Sequence, residues 1–154
     1  MLDVSLRAGI LNLLRKLEQN FGISVLYITH DLASARYLSD RIYVMYKGEI
    51  VESGETEELI RKSAHPYTIA LLLASIGIEG SLSEKLGERI FSQDEVSDNH
   101  GCLFAPRCQF AKEICSAEKP ELKEISVAHS SRCHFASEVQ NMRLTEIKEK
   151  FGPS

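Results

Sequence analysis

The four cysteines are the residues best suited to chemistry, and all of them lie between Cys102 and Cys133. Their spacing is C-x5-C-x6-C-x17-C. Four thiolates can complete either a tetrahedral zinc site or the corners of an iron–sulfur cluster. Because the first interval is longer than the paired spacing usual in structural zinc sites, the pattern favours a larger inorganic core over a zinc ribbon. Two disulfides or four free thiols are the alternatives.

A second candidate is His30, which follows the apolar, β-branched and aromatic stretch Ile23–Thr29. That stretch predicts a strand covered on both faces, as in a parallel sheet. Open α/β sheets bind ligands at the carboxyl ends of such strands, and an imidazole there can donate a hydrogen bond to a terminal phosphate. Taken alone, the pair His30-Asp31 is better explained as a polar end to the strand.

The sequence predicts the helices and strands that position the cysteines and His30. Leucines and an isoleucine at helical spacing predict a helix from Asp3 to about Asn20, with Asp3 as its N-cap and Gly22 as its stop signal. Lys47-Gly48 predicts a tight turn between two strands. The further elements that we expect are a helix over Leu32–Leu38, strands over Arg41–Tyr46 and Glu49–Glu52, and helices over Thr56–Lys62 and from Pro66.

The remainder of the chain is a polar connector over residues 81–100, the cysteine module and a terminal helix over Phe135–Phe151. Lys and Arg number 18 against 22 Asp and Glu, for a formal charge of −4, so nucleic acid is not an expected partner. The longest apolar stretch, Ile69–Ile78, is shorter than the roughly 20 residues that cross a bilayer. We find no export signal at the start and expect a cytoplasmic location, where cysteines bind metals more often than they form disulfides.

The order of these motifs resembles the back half of the ATPase subunit of an ABC transporter. The series runs through Leu2-Asp3, the strand ending at His30-Asp31, Ser39-Asp40-Arg41-Ile42, Lys47-Gly48 and Gly54. The resemblance implies an α/β fold: a partial P-loop NTPase sheet with flanking helices, followed by a small cysteine-rich, metal-bound extension. It also implies that His30 is the switch histidine that contacts the γ-phosphate and that Asp3 is the D-loop residue at the nucleotide interface.

The cysteine module resembles the C-terminal extension of oligopeptide and dipeptide ABC ATPase subunits. The segment Gly101–Cys108 carries this likeness together with His65-Pro66-Tyr67-Thr68. The resemblance implies a [4Fe-4S] cluster, for which we favour a structural role, with zinc or no metal as alternatives. Its ligands would be Cys102, Cys108, Cys115 and Cys133. The domains implied are an ATPase portion (1–76), a linker (77–100), the cysteine-rich extension (101–136) and a terminal helix or tail (137–154).

The sequence contains no G-x-x-x-x-G-K-[ST] motif and neither the signature nor the Walker B motif of the family. We therefore expect a C-terminal fragment of the ATP-hydrolysing subunit of a peptide importer, inactive alone and using ATP and Mg only in the complete subunit. The implied partners are a second ATPase subunit and the membrane-spanning permease, through which alone the chain would meet the cell membrane. Exposed apolar surface would favour self-association of the fragment. The alternative is a freestanding, non-catalytic, metal-bound regulatory module of a transporter.

Overall fold

The computed structural model describes residues 4–75 and 100–142. They belong to two compact units, which divide between Asp40 and Arg41. The predicted N-cap Asp3, most of the connector and the end of the predicted terminal helix lie outside the described residues.

The first unit contains helix α1 (Val4–Phe21) and helix α2 (Leu32–Leu38). Both helices were predicted, and both end or begin as their sequence indicates. Gly22 has a φ of +61°, and its N–H donates to the carbonyl of Glu18 at 2.8 Å, which closes α1 with a left-handed residue. Asp31 caps α2 by accepting a hydrogen bond from the Ala33 N–H at 3.0 Å.

The expected strand Ile23–Thr29 is wrong for this structure, because the segment has no regular secondary structure. Its side chains are not covered either: Leu26 is 88% exposed and Ile28 is 86% exposed. A buried strand needs neighbouring strands for its backbone and packed layers for both faces. The described part of the first unit supplies only two helices. The apolar segment Ile23–Thr29 is therefore largely exposed in the described structure.

The second unit starts with a hairpin of β1 (Arg41–Tyr46) and β2 (Glu49–Glu55). Lys47 and Gly48 form the turn with φ values of +47° and +82°, as the two-residue turn of a twisted hairpin requires. Side chains of β1 alternate between exposed and buried, so one face of the hairpin packs inward. The predicted hairpin is confirmed, and β2 extends three residues beyond the predicted end at Glu52.

Two short strands from the cysteine module complete the sheet. They are β3 (Lys123–Ser126) and β4 (His129–Ser131), and the strand order is β1-β2-β4-β3. Every pairing in this sheet is antiparallel, including β2 with β4. The α/β class is confirmed, but the sheet in the described residues is antiparallel rather than the parallel type expected around Ile23–Thr29.

The second unit also contains four short helices among the described residues. They are α3 (Thr56–Arg61), α4 (Pro66–Ser75), α5 (Glu113–Ala117) and α6 (Ala136–Gln140), with a 3-10 turn at Ala105–Arg107. Ile69, Ala70 and Leu73 of α4 form a buried core with Val139 of α6. The cysteine module thus packs on a helix from the first half of the chain. Among the described helices, none has both the length and the apolar character needed to cross a membrane.

Candidate metal centre

The four cysteines converge on one pocket in the second unit. All four are free thiols, and Cys115 is buried while the other three are partly buried. The rest of the lining is largely apolar or aromatic: His65, Pro66, Phe104, Ala105, Phe110, His134 and Phe135. Residues far apart in sequence therefore present four cysteines to one shared, largely apolar pocket.

Cys102 and Cys115 are fixed relative to each other through the backbone. The Cys102 N–H donates to the carbonyl of Cys115 at 2.7 Å. Gly101 permits this approach: a Cβ there would lie 2.6 Å from the carbonyl oxygen of Ser116 and closer still to that of Cys115. Only glycine fits at this position without moving the backbone.

Backbone N–H groups two residues later stabilise the sulfurs of Cys102, Cys108 and Cys133. The Phe110 N–H donates to Cys108 Sγ at 3.4 Å. Backbone N–H groups of Phe104 and Phe135 act in the same way on Cys102 and Cys133. Our sequence analysis missed these phenylalanines, although the pattern Cys-x-Phe occurs three times and is visible in the sequence.

Burial keeps the metal-free thiols protonated. It raises the pKa of Cys108 to about 12 and that of Cys133 to about 11, and it also raises the pKa of Cys102. Neighbouring thiols add to the increase, and the backbone N–H donors oppose it. A metal would have to displace these protons, so metal binding would release protons and depend on pH.

The two histidines of the pocket wall are engaged by the backbone. His65 Nδ1 accepts from the Tyr67 N–H at 3.1 Å, and its ring is also hydrogen-bonded to the backbone of Arg132. Burial lowers the pKa of His65 to about 3, which keeps the ring neutral. His134 Nε2 lies 2.9 Å from the carbonyl oxygen of Glu118. The donors left for a metal are therefore the four sulfurs.

The described residues include no group of three or more Cys, His, Asp or Glu side chains close enough to hold a single metal ion. The four sulfurs nevertheless line one pocket. Soft thiolates of this kind are donors that iron–sulfur cores bind.

A buried hydrogen-bonded group lies beside the pocket, where β2 meets β4. The Glu52 carboxylate is fully buried and accepts hydrogen bonds from the Ala64 N–H at 2.6 Å and the His65 N–H at 3.2 Å. His129 Nε2 lies 2.8 Å from the same carboxylate. His129 is 0% exposed, whereas His100, just before the cysteine-rich extension, is exposed.

Comparison with known proteins connects this geometry to a family. Residues 51–115 match the family described as oligopeptide/dipeptide transporter, C-terminal region. The match begins within β2 and includes α3, α4 and three of the four pocket cysteines. The chain is similar to the C-terminal part of oligopeptide-type ABC ATPase subunits.

Individual relatives show the same likeness over more of the chain. The oligopeptide transport ATP-binding protein AppF of Bacillus subtilis is 39% identical over 132 residues, which cover 83% of this chain and 40% of AppF. A Brucella ovis protein named for peptide import and ATP binding is 38% identical over 138 residues, 85% of this chain and 40% of that protein. The chain spans about two fifths of the length of these relatives.

Of the two nucleotide-linked residues expected from the sequence, the structure describes His30, which lies in the first unit. His30 is exposed and directly precedes the residue that caps α2. Asp3 lies outside the described residues. The roles of both residues in nucleotide contact stay predictions.

Proposed function

We propose that this chain is part of the ATP-hydrolysing subunit of a peptide importer and that its pocket holds a [4Fe-4S] cluster through Cys102, Cys108, Cys115 and Cys133. The single observation that carries the cluster proposal is the convergence of four free cysteines on one apolar pocket. The names of the relatives, which refer to peptide import and oligopeptide transport, support the transport half of the proposal.

A structural role suits this pocket. When bound, a cluster supplies iron–thiolate bonds that hold together segments with few large apolar side chains. The chain's own residues supply the rest: buried aromatic rings keep water from the sulfurs, and backbone N–H groups stabilise negative charge on them.

Metal analysis of the anaerobically purified chain tests the cluster. We expect about four iron and about four sulfide per chain, with the broad visible absorbance of an iron–sulfur protein. Stoichiometric zinc without sulfide would replace the cluster by a mononuclear site. A chain free of both metals after anaerobic purification would contradict the proposal.

We further propose that the chain does not hydrolyse ATP or bind it tightly alone, because its sequence lacks the phosphate-binding motif. In the complete subunit, His30 would contact the γ-phosphate, and Asp3 would reach the interface with a second ATPase subunit. ATP and Mg would bind only there. The subunit would meet the inner face of the cell membrane through the permease.

Complementation tests this role. The chain is combined with the N-terminal part of a related subunit, and ATP turnover is measured with and without His30→Ala. We expect turnover to fall by about 10²-fold or more in the variant. The matched control is His100→Ala, which removes another exposed histidine and should leave turnover unchanged. Turnover by the isolated chain, or wild-type turnover in the His30→Ala complex, would contradict the assignment.

A further inference from the structure

In each of the three Cys-x-Phe units, the phenylalanine has two contacts with the cysteine pocket, one through its backbone N–H and one through its ring. At one end, the Phe110 N–H donates to Cys108 Sγ at 3.4 Å, and the backbone N–H groups of Phe104 and Phe135 likewise lower the pKa of Cys102 and of Cys133 against the increase that burial causes. At the other end, the ring of the same phenylalanine lines the cysteine pocket. Because N–H and ring belong to one residue, fixing the ring also fixes the donor that holds the sulfur.

Each ring is packed against the rest of the second unit. Phe104 is 2% exposed, and its ring centroid lies 5.3 Å from that of Tyr46 on β1 and 5.4 Å from that of Tyr67 on α4. Phe110 and Phe135 pack against the buried core that α4 and α6 form. These contacts connect three sulfurs to elements outside the cysteine module.

The fourth cysteine is held differently. Cys115 is followed by Ser116-Ala117, and its place depends on α5 and on the carbonyl that accepts the Cys102 N–H. It therefore provides an internal reference within the same pocket. A change in one Cys-x-Phe unit should act on its own sulfur more than on Cys115.

We propose that Phe104, Phe110 and Phe135 are positioning residues of the cysteine pocket, each of which fixes the sulfur two residues before it. This inference rests on the proposed function only in that the bound cluster would use these sulfurs.

Site-resolved alkylation tests the proposal. The reduced, metal-free chain is treated with iodoacetamide, and mass spectrometry follows the modification rate of each cysteine. Phe110→Leu should raise the rate at Cys108 by roughly tenfold, since a leucine loses the aromatic packing that restrains the sulfur. Phe135→Leu should do the same at Cys133. In both variants the rate at Cys115 should stay within about twofold of wild type.

The matched control is Phe21→Leu, the same substitution at a phenylalanine that is 72% exposed in the first unit; it should leave all four rates unchanged. Phe110 and Phe135 are partly buried, so the test does not depend on the fully packed Phe104. Parallel acceleration of all four cysteines, in proportion to lost global stability, would overturn the proposal in favour of a merely structural role. Unchanged rates at Cys108 and Cys133 would also overturn it.

A second readout separates this inference from the cluster proposal. The loss of iron from the anaerobically purified chain to a chelator should be faster in Phe110→Leu than in Phe21→Leu. If wild type binds no iron, the cluster proposal fails, and the alkylation pattern still decides whether the phenylalanines position the sulfurs.

Discussion

Replacing Glu52 by alanine should destabilise the second unit strongly. The change would leave the N–H groups of Ala64 and His65, and Nε2 of His129, without their acceptor in a fully buried place. Each orphaned buried donor costs about 1–3 kcal/mol. Because three such donors lose their acceptor, we expect the free energy of unfolding to fall by about 3 kcal/mol or more.

Urea unfolding, followed by circular dichroism because the chain has no tryptophan, measures this change. Glu52→Gln should lie between Glu52→Ala and wild type, since its amide keeps one acceptor oxygen but places an NH2 group near other donors. The matched control is Glu55→Ala, at the end of the same strand. The Glu55 carboxylate is exposed and makes no capping hydrogen bond to helix α3. This substitution should change stability by about 0.5 kcal/mol or less.

The reasoning would be refuted if Glu52→Ala unfolded within about 1 kcal/mol of wild type, because three buried donors cannot lose their acceptor at so small a cost. It would equally be refuted if Glu55→Ala and Glu52→Ala destabilised the chain to the same extent, since burial would then have no part in the effect.

Three further predictions concern the pocket. Gly101→Ala should lower both metal content and unfolding free energy, by about 1–3 kcal/mol, because its Cβ meets backbone oxygens; Gly9→Ala, where the space is open, should not lower them. Burial holds the pKa of His65 at about 3 against 6.5, so His65 should reduce stability as pH falls below 6.5, by up to about 1.4 kcal/mol per pH unit, and urea unfolding of His65→Gln should lack this component. Burial raises the pKa of Cys108 to about 12 and that of Cys133 to about 11, from 9.0. The unfolding free energy of the metal-free chain should therefore be highest below pH 9.0 and fall as the pH rises through these values, whereas that of the metal-loaded chain should not. Equal alkaline profiles of unfolding free energy for the two forms would contradict this.

Local signals in the sequence predicted most of the helices and the hairpin. Gly22, Asp31 and the Lys47-Gly48 turn act through their own backbone or through neighbours a few residues away, so spacing was enough to place them. Ile23–Thr29 failed because burial of a strand depends on neighbours that its own residues do not specify. The apolar, β-branched composition of this segment indicated a buried strand, but the described residues of the first unit include no neighbouring strand.

The candidate site was predicted in part for the same reason. The sequence identified the four cysteines, and the structure brings them to one pocket. It could not indicate the environment of His129, whose carboxylate partner Glu52 lies 77 residues earlier in the chain. The Cys-x-Phe repeat was present in the sequence, but its significance depends on where the rings pack.

The most direct test of the central claim is to measure iron and sulfide in the anaerobically purified wild type and in four variants that each replace one pocket cysteine by serine. The account predicts about four of each per wild-type chain and a marked loss in every variant, whether the serine replaces Cys102, Cys108, Cys115 or Cys133. Full iron and sulfide content in any one of the four variants, or zinc in place of iron in the wild type, would contradict it.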